Sequence, residues 1–224
     1  MFRGWAASLP ADIDVIGVQY PGRGIENAGN AVADCRSMVQ LLARGIGPML
    51  DLPFYFFGHS NGALISFELA RNLDAGQRAL HRHHFLSARV PAHVGTGRGR
   101  ISDLPDREFL QELGRIGGTP GMLLADAALM RRILPRLRAD FALGENYTYT
   151  DGPLLDCDIT SLHGQGDGLV DAEKIPRWSE LTRGRAIHHV VQGDHFFLES
   201  HRDAVLEIVR AGMRTSHSMT TGTP

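Results

Sequence analysis

The chain has 224 residues, a length that suits a single α/β domain. Its 43% hydrophobic and 21% charged content exclude a long disordered chain and a fibrous repeat. A formal net charge of −2 excludes a nucleic-acid binder held by a broad basic face, and two cysteines are too few for a disulfide framework.

The expectation is reduced thiols at Cys35 and Cys157 in a cytoplasmic protein. No Cys/His spacing fits a structural zinc site. No apolar run is long enough to cross a bilayer, and the first residues lack the apolar stretch of a secretory signal.

Residues 13–19, Ile-Asp-Val-Ile-Gly-Val-Gln, predict a strand stopped by Pro21-Gly22-Arg23-Gly24. Val32, Cys35, Met38, Val39 and Leu42 then fall at helical spacing. Phe54-Tyr55-Phe56-Phe57 predicts a strand entered through Pro53 and stopped by Gly58. Ala63, Leu64, Phe67, Ala70 and Leu73 mark the next helix. Residues 84–88, 159–163 and 186–191 predict further strands, and Val205, Leu206, Val209 and Met213 give the last helix one apolar face. Strands alternating with helices predict an α/β fold, a mostly parallel sheet with helices on both faces.

The stretch 101–150 breaks that rhythm. It predicts helices over 107–113 and 122–141, the second interrupted near Pro135, and no strand. An all-helical insertion between two strands reads as a lid over a site, the alternative being an extension that only packs on the core. Residues 1–213 read as one domain, and 214–224 as a disordered tail.

The sharpest motif is Gly58-His59-Ser60-Asn61-Gly62, directly after an apolar strand and before an amphipathic helix. That context is a nucleophile elbow, in which a serine on a strained turn is pushed out at the top of the sheet. Gly58 and Gly62 read as positions where a side chain would clash across the turn. The backbone N–H of Asn61 can stabilise an oxyanion. A serine nucleophile needs a base and an orienting acid, which in this architecture follow in the order serine, acid, histidine. His195 has the right order and the right loop, past the last strand. His81, His83 and His84 read as a polar strand edge. Asp167 lies in Gly164-Gln-Gly-Asp-Gly168, beyond the carboxyl end of a strand, where open α/β sheets form their sites. Asp171 reads as a helix cap, Asp158 lies at the other sheet edge, and Asp194 adjoins His195 too closely to orient it.

Several segments together resemble the type II thioesterases that accompany polyketide and nonribosomal peptide synthases. They are Val18-Gln-Tyr-Pro-Gly-Arg-Gly24, Phe56-Phe-Gly-His-Ser60, Phe67-Glu-Leu-Ala-Arg71, Gly117-Gly-Thr-Pro120, Leu134-Pro-Arg-Leu-Arg-Ala-Asp-Phe141 and Gly193-Asp-His-Phe-Phe-Leu198. The resemblance implies an α/β-hydrolase fold with a helical lid. It implies Ser60 as nucleophile, Asp167 as acid, His195 as base, and no metal or redox cofactor. The implied partners are acyl or peptidyl carrier proteins bearing phosphopantetheine, with no nucleic acid or membrane, and the implied state is a monomer. The chain departs from the family at Asn61, where relatives carry methionine. It also lacks the strand and oxyanion loop that in relatives precede the segment matching Phe2–Trp5. The expectation is a true start upstream of Met1, with a degenerate copy as the alternative. The rival functions are a general serine carboxylesterase and a noncatalytic module that docks carrier proteins.

Overall fold

In the computed structural model, which describes residues 1–22, 31–118 and 121–218, apolar segments pair into one parallel sheet. The strands are Phe54–His59 (β1), His81–Ser87 (β2), Asp158–Gly164 (β3) and Ala186–Val191 (β4), in the order β1-β2-β3-β4. Gly58, Leu86, Ser161 and His188 lie in register across the sheet, so the strands run out together at one carboxyl edge.

Helices cover both faces. Cys35–Ile46 (α1) starts where the Asp34 carboxylate accepts the N–H groups of Arg36 and Ser37, both at 3.0 Å. It buries Cys35, Met38, Val39 and Leu42, the residues at helical spacing. Asn61–Arg71 (α2) returns from β1, and Ala75–Leu80 (α3) leads into β2. Asp106–Ile116 (α4), Gly121–Ala125 (α5) and Ala127–Glu145 (α6) lie between β2 and β3. Phe197–Ser200 (α7) and Arg202–Ser218 (α8) follow β4. Strand alternation sends Leu86 and Ile159 into one core with α1 and α2, and Phe85 and Leu162 into a second core with α7 and α8. Helices α4 and α6 bury a third cluster of their own around Phe109, Leu113, Met130 and Leu134. Among the described residues no helix is long and apolar enough to cross a membrane.

The structure corrects four readings of the sequence. Residues 13–19 form no strand: a strand exists only with a partner, no described strand pairs with them, and Ile16 and Val18 stay exposed. Pro135 does not interrupt its helix. The break comes earlier, at Asp126, whose carboxylate caps α6 by accepting from Ala128 and Leu129. His81, His83 and His84 are not an exposed edge but are buried in an interior strand. Residues 214–218, read as the start of a disordered tail, continue the last helix to Ser218. Arg23, Gly24, Thr119, Pro120 and residues 219–224 lie outside the described residues.

Candidate active site

The turn after β1 is tight. A Cβ on Gly58 would lie 2.3 Å from the Gly62 carbonyl oxygen and 2.5 Å from Ser66 Oγ, so only glycine fits there. Gly62 differs from the expectation: its Cβ would meet only Tyr20 Oη at 3.5 Å, an ordinary contact. Ser60 takes φ 55° and ψ −120°, a backbone region costly for a residue with a side chain. Its N–H donates to the Ser87 carbonyl at 2.8 Å, which ties the strained turn to the end of β2. Helix α2 begins at the next residue, so the Asn61 N–H belongs to the first turn, whose donors have no intrahelical acceptor.

The loops after β3 and β4 are joined. Gln165 N–H donates to the Val191 carbonyl and Gly166 N–H to the Gly193 carbonyl, each at 2.8 Å. A Cβ on Gly164 would lie 2.3 Å from the Asp194 carbonyl oxygen, and Gly193 takes φ +114°. Glycine at both positions lets the loops approach. One loop then presents Asp167 and the other His195, both almost fully buried.

Asp167 Oδ2 lies 2.8 Å from His195 Nδ1, and His195 Nε2 lies 3.0 Å from Ser60 Oγ. A carboxylate only accepts, so Nδ1 of His195 carries the hydrogen and Nε2 is left to accept from the serine hydroxyl. Asp167 Oδ1 accepts the Leu169 N–H at 2.9 Å, which fixes the carboxylate from its other side. The arrangement can remove a proton from Ser60 and stabilise the resulting imidazolium. The other carboxylates point elsewhere: Asp171 caps the 3-10 helix Ala172–Leu181, Asp158 pairs with Arg185, and Asp194 accepts the Phe196 N–H.

Sequence reasoning missed the layer behind this series. His59 Nδ1 lies 2.9 Å from Ser87 Oγ, and its ring sits 5.3 Å from that of His195. Burial, and then the neighbouring His195, push the His59 pKa down to about 4. His59 is therefore held neutral beside His195. It also missed Arg89 and the side chain of Asn61, which meet at this edge of the sheet. Ser60, Arg89, Phe141 and Phe196 line a cavity of about 1740 Å³ that also runs along the β1 edge. Among the described residues no group of three or more His, Cys, Asp or Glu side chains is placed to hold a metal ion.

A parallel sheet whose carboxyl edge carries a serine on a strand-to-helix turn, with an acid and a histidine on later loops, is the α/β-hydrolase fold. The chain belongs to the thioesterase-domain family, which matches residues 1–213, and is an enzyme of that class. It is 35% identical over 213 residues to gramicidin S biosynthesis protein GrsT of Aneurinibacillus migulanus, across 95% of this chain and 83% of that protein. It is similar in structure to the type II thioesterase BorB from the borrelidin biosynthetic cluster. There the TM-score is 0.82 at 33% identity, over 94% of this chain and 86% of that one. It is similar also to the RedJ thioesterase from the prodiginine pathway of Streptomyces coelicolor. That match has TM-score 0.82 at 29% identity, over 94% of this chain and 80% of that one.

Proposed function

We propose that this enzyme hydrolyses acyl groups from the phosphopantetheine arms of carrier proteins in polyketide or nonribosomal peptide synthesis, clearing aberrant or stalled units. The observation that carries the reading is the hydrogen-bonded series Asp167–His195–Ser60 at 2.8 and 3.0 Å, set beside the first N–H of α2. Ser60 is the nucleophile, His195 the general base and Asp167 the orienting acid. His195 takes the Ser60 proton as Oγ attacks the thioester carbonyl. The Asn61 N–H stabilises the oxyanion. The pantetheine thiolate leaves with the proton from His195, and an acyl ester stays on Ser60. Water, activated in turn by His195, releases the free acid.

Helices α4–α6 act as the lid in this reading. Their separate apolar cluster, and their position beside the cavity, support it. The enzyme acts as a monomer in the cytoplasm. The free, buried thiols of Cys35 and Cys157, with pKa values pushed up to about 12 by burial, suit a reducing compartment.

The test compares acyl-pantetheine thioesters with matched oxygen esters, using the wild type and Ser60→Ala. The wild type is expected to favour the thioester, and Ser60→Ala to lose ~10⁴-fold or more in turnover with an unchanged melting temperature. A preference for the oxygen ester supports a carboxylesterase instead. Undiminished hydrolysis by Ser60→Ala removes Ser60 from the mechanism.

A further inference from the structure

Asn61 does two things at once. Its N–H opens α2 beside Ser60, and its side-chain amide joins two other elements. Nδ2 donates to the Asp140 carbonyl of α6 at 2.5 Å, and Oδ1 accepts from Arg89 Nη1 at 3.2 Å. A carbonyl only accepts and a guanidinium only donates, so the amide has one orientation that satisfies both.

Arg89 is an anchored partner. It follows the end of β2, it is buried enough that desolvation lowers its pKa, and its carbonyl accepts from Trp178 Nε1 at 2.9 Å. The approach of α6 is also specified. A Cβ on Gly144 would lie 2.7 Å from Asn61 Oδ1 and 3.0 Å from Arg89 Nη1, so any side chain there must push this pair aside. The insertion meets the site a second time just after α4. A Cβ on Gly118 would lie 2.1 Å from Phe196 Cζ, and the Phe196 ring stands edge-on to His195 at 5.3 Å. The insertion thus touches the residue after the nucleophile and the residue after the base.

We propose that Asn61 is a positioning residue whose side-chain amide clasps α6 to the nucleophile turn, so that closure of the insertion sets the Asn61 N–H toward the thioester oxygen. The proposal rests on the thioesterase reading of the site. An amide held at both its oxygen and its nitrogen restricts the side chain and, through it, the peptide plane that carries the oxyanion donor. Donors of this kind act only within a few tenths of an ångström of the right place.

The experiment uses Asn61→Ala, Gly144→Ala and the double variant. Both single changes keep the Asn61-position N–H, and alanine is a good helix former at both positions, so the helices themselves are kept. Two quantities are read: kcat and KM on an acyl-pantetheine thioester, and amide hydrogen exchange in α6. Asn61→Ala is expected to lower kcat about tenfold, the value of one or two lost hydrogen bonds, with KM within about twofold. Exchange in α6 is expected to rise by a similar factor. Gly144→Ala should do the same by pushing the clasp apart. In the double variant the added methyl no longer meets the amide, so the losses should not multiply. Unchanged kcat and exchange in Asn61→Ala overturn the clasp, as do losses that multiply in the double variant. A wild type without turnover overturns the thioesterase reading instead, and the exchange data alone then decide the clasp.

Discussion

In the proposed mechanism Asp167 and His195 work through one hydrogen bond whose donor is fixed by chemistry. The carboxylate accepts, so the imidazole presents its bare nitrogen to Ser60. Replacing the carboxylate by an amide of the same shape puts an N–H where an acceptor is needed and selects the other tautomer. Asp167→Asn is therefore expected to lower kcat ~10⁴-fold, with the melting temperature little changed. Steady-state kinetics on an acyl-pantetheine thioester check this. A loss under about tenfold would mean that another group orients His195. That Ser60, Asp167 and His195 meet at one sheet edge was legible in the sequence, because each sits in a short loop among turn residues, just past an apolar strand. The roles of His59 and the Asn61 side chain were not. Their partners lie 28 and 79 positions away, at Ser87 and Asp140, and only the folded sheet brings them near.

At the scale of elements, local pattern succeeded where a segment carries its own reason to form. Helix α1 has its cap and its apolar face, and the helix at Ala172–Leu181 has Asp171. It failed where the reason lies in a neighbour. Residues 13–19 have strand composition and no ladder. Strand β2 has polar composition and a buried place, because each histidine finds a partner. His83 meets Thr160 and Ser216, His84 meets Ser66, and His81 meets Cys157. Burial holds these rings neutral, with pKa values pushed down to about 3 at His81 and about 4 at His83, and His84 well below its ordinary value. His59 is also held down to about 4. In the unfolded chain the same rings protonate near 6.5. Below that pH the unfolded state binds more protons than the folded one, so stability falls as pH falls from about 6.5 toward 4. Denaturant unfolding at stepped pH checks the sign and the size. The slope near pH 5 should report uptake of more than one proton on unfolding, and a flat profile between pH 6.5 and 5 would contradict the buried neutral histidines.

The whole molecule divides its labour between a sheet packed on both faces and an insertion with a cluster of its own. Two cores hold the sheet, one with α1 and α2 and one with α7 and α8, and all three chemical groups stand on loops at its carboxyl edge. Helices α4–α6 bury their own cluster and reach the site through Gly144 at Asn61 and Gly118 at Phe196. The doubly covered parallel sheet was legible from the alternation of apolar runs, because that pattern spans the chain. The contacts of the insertion were not, because they depend on glycines whose value appears only when another element sits against them. In the proposed mechanism Ser60 carries the acyl group between its two half-reactions. The direct measurement mixes the enzyme with an acyl-loaded carrier protein, quenches within one turnover, and maps the added acyl mass by peptide mass spectrometry. A transient acyl mass is expected on the peptide containing Ser60, absent from Ser60→Ala and lost with release of the free acid. Release of acid at full rate with no acyl mass on that peptide, or with the mass on another residue, would contradict it.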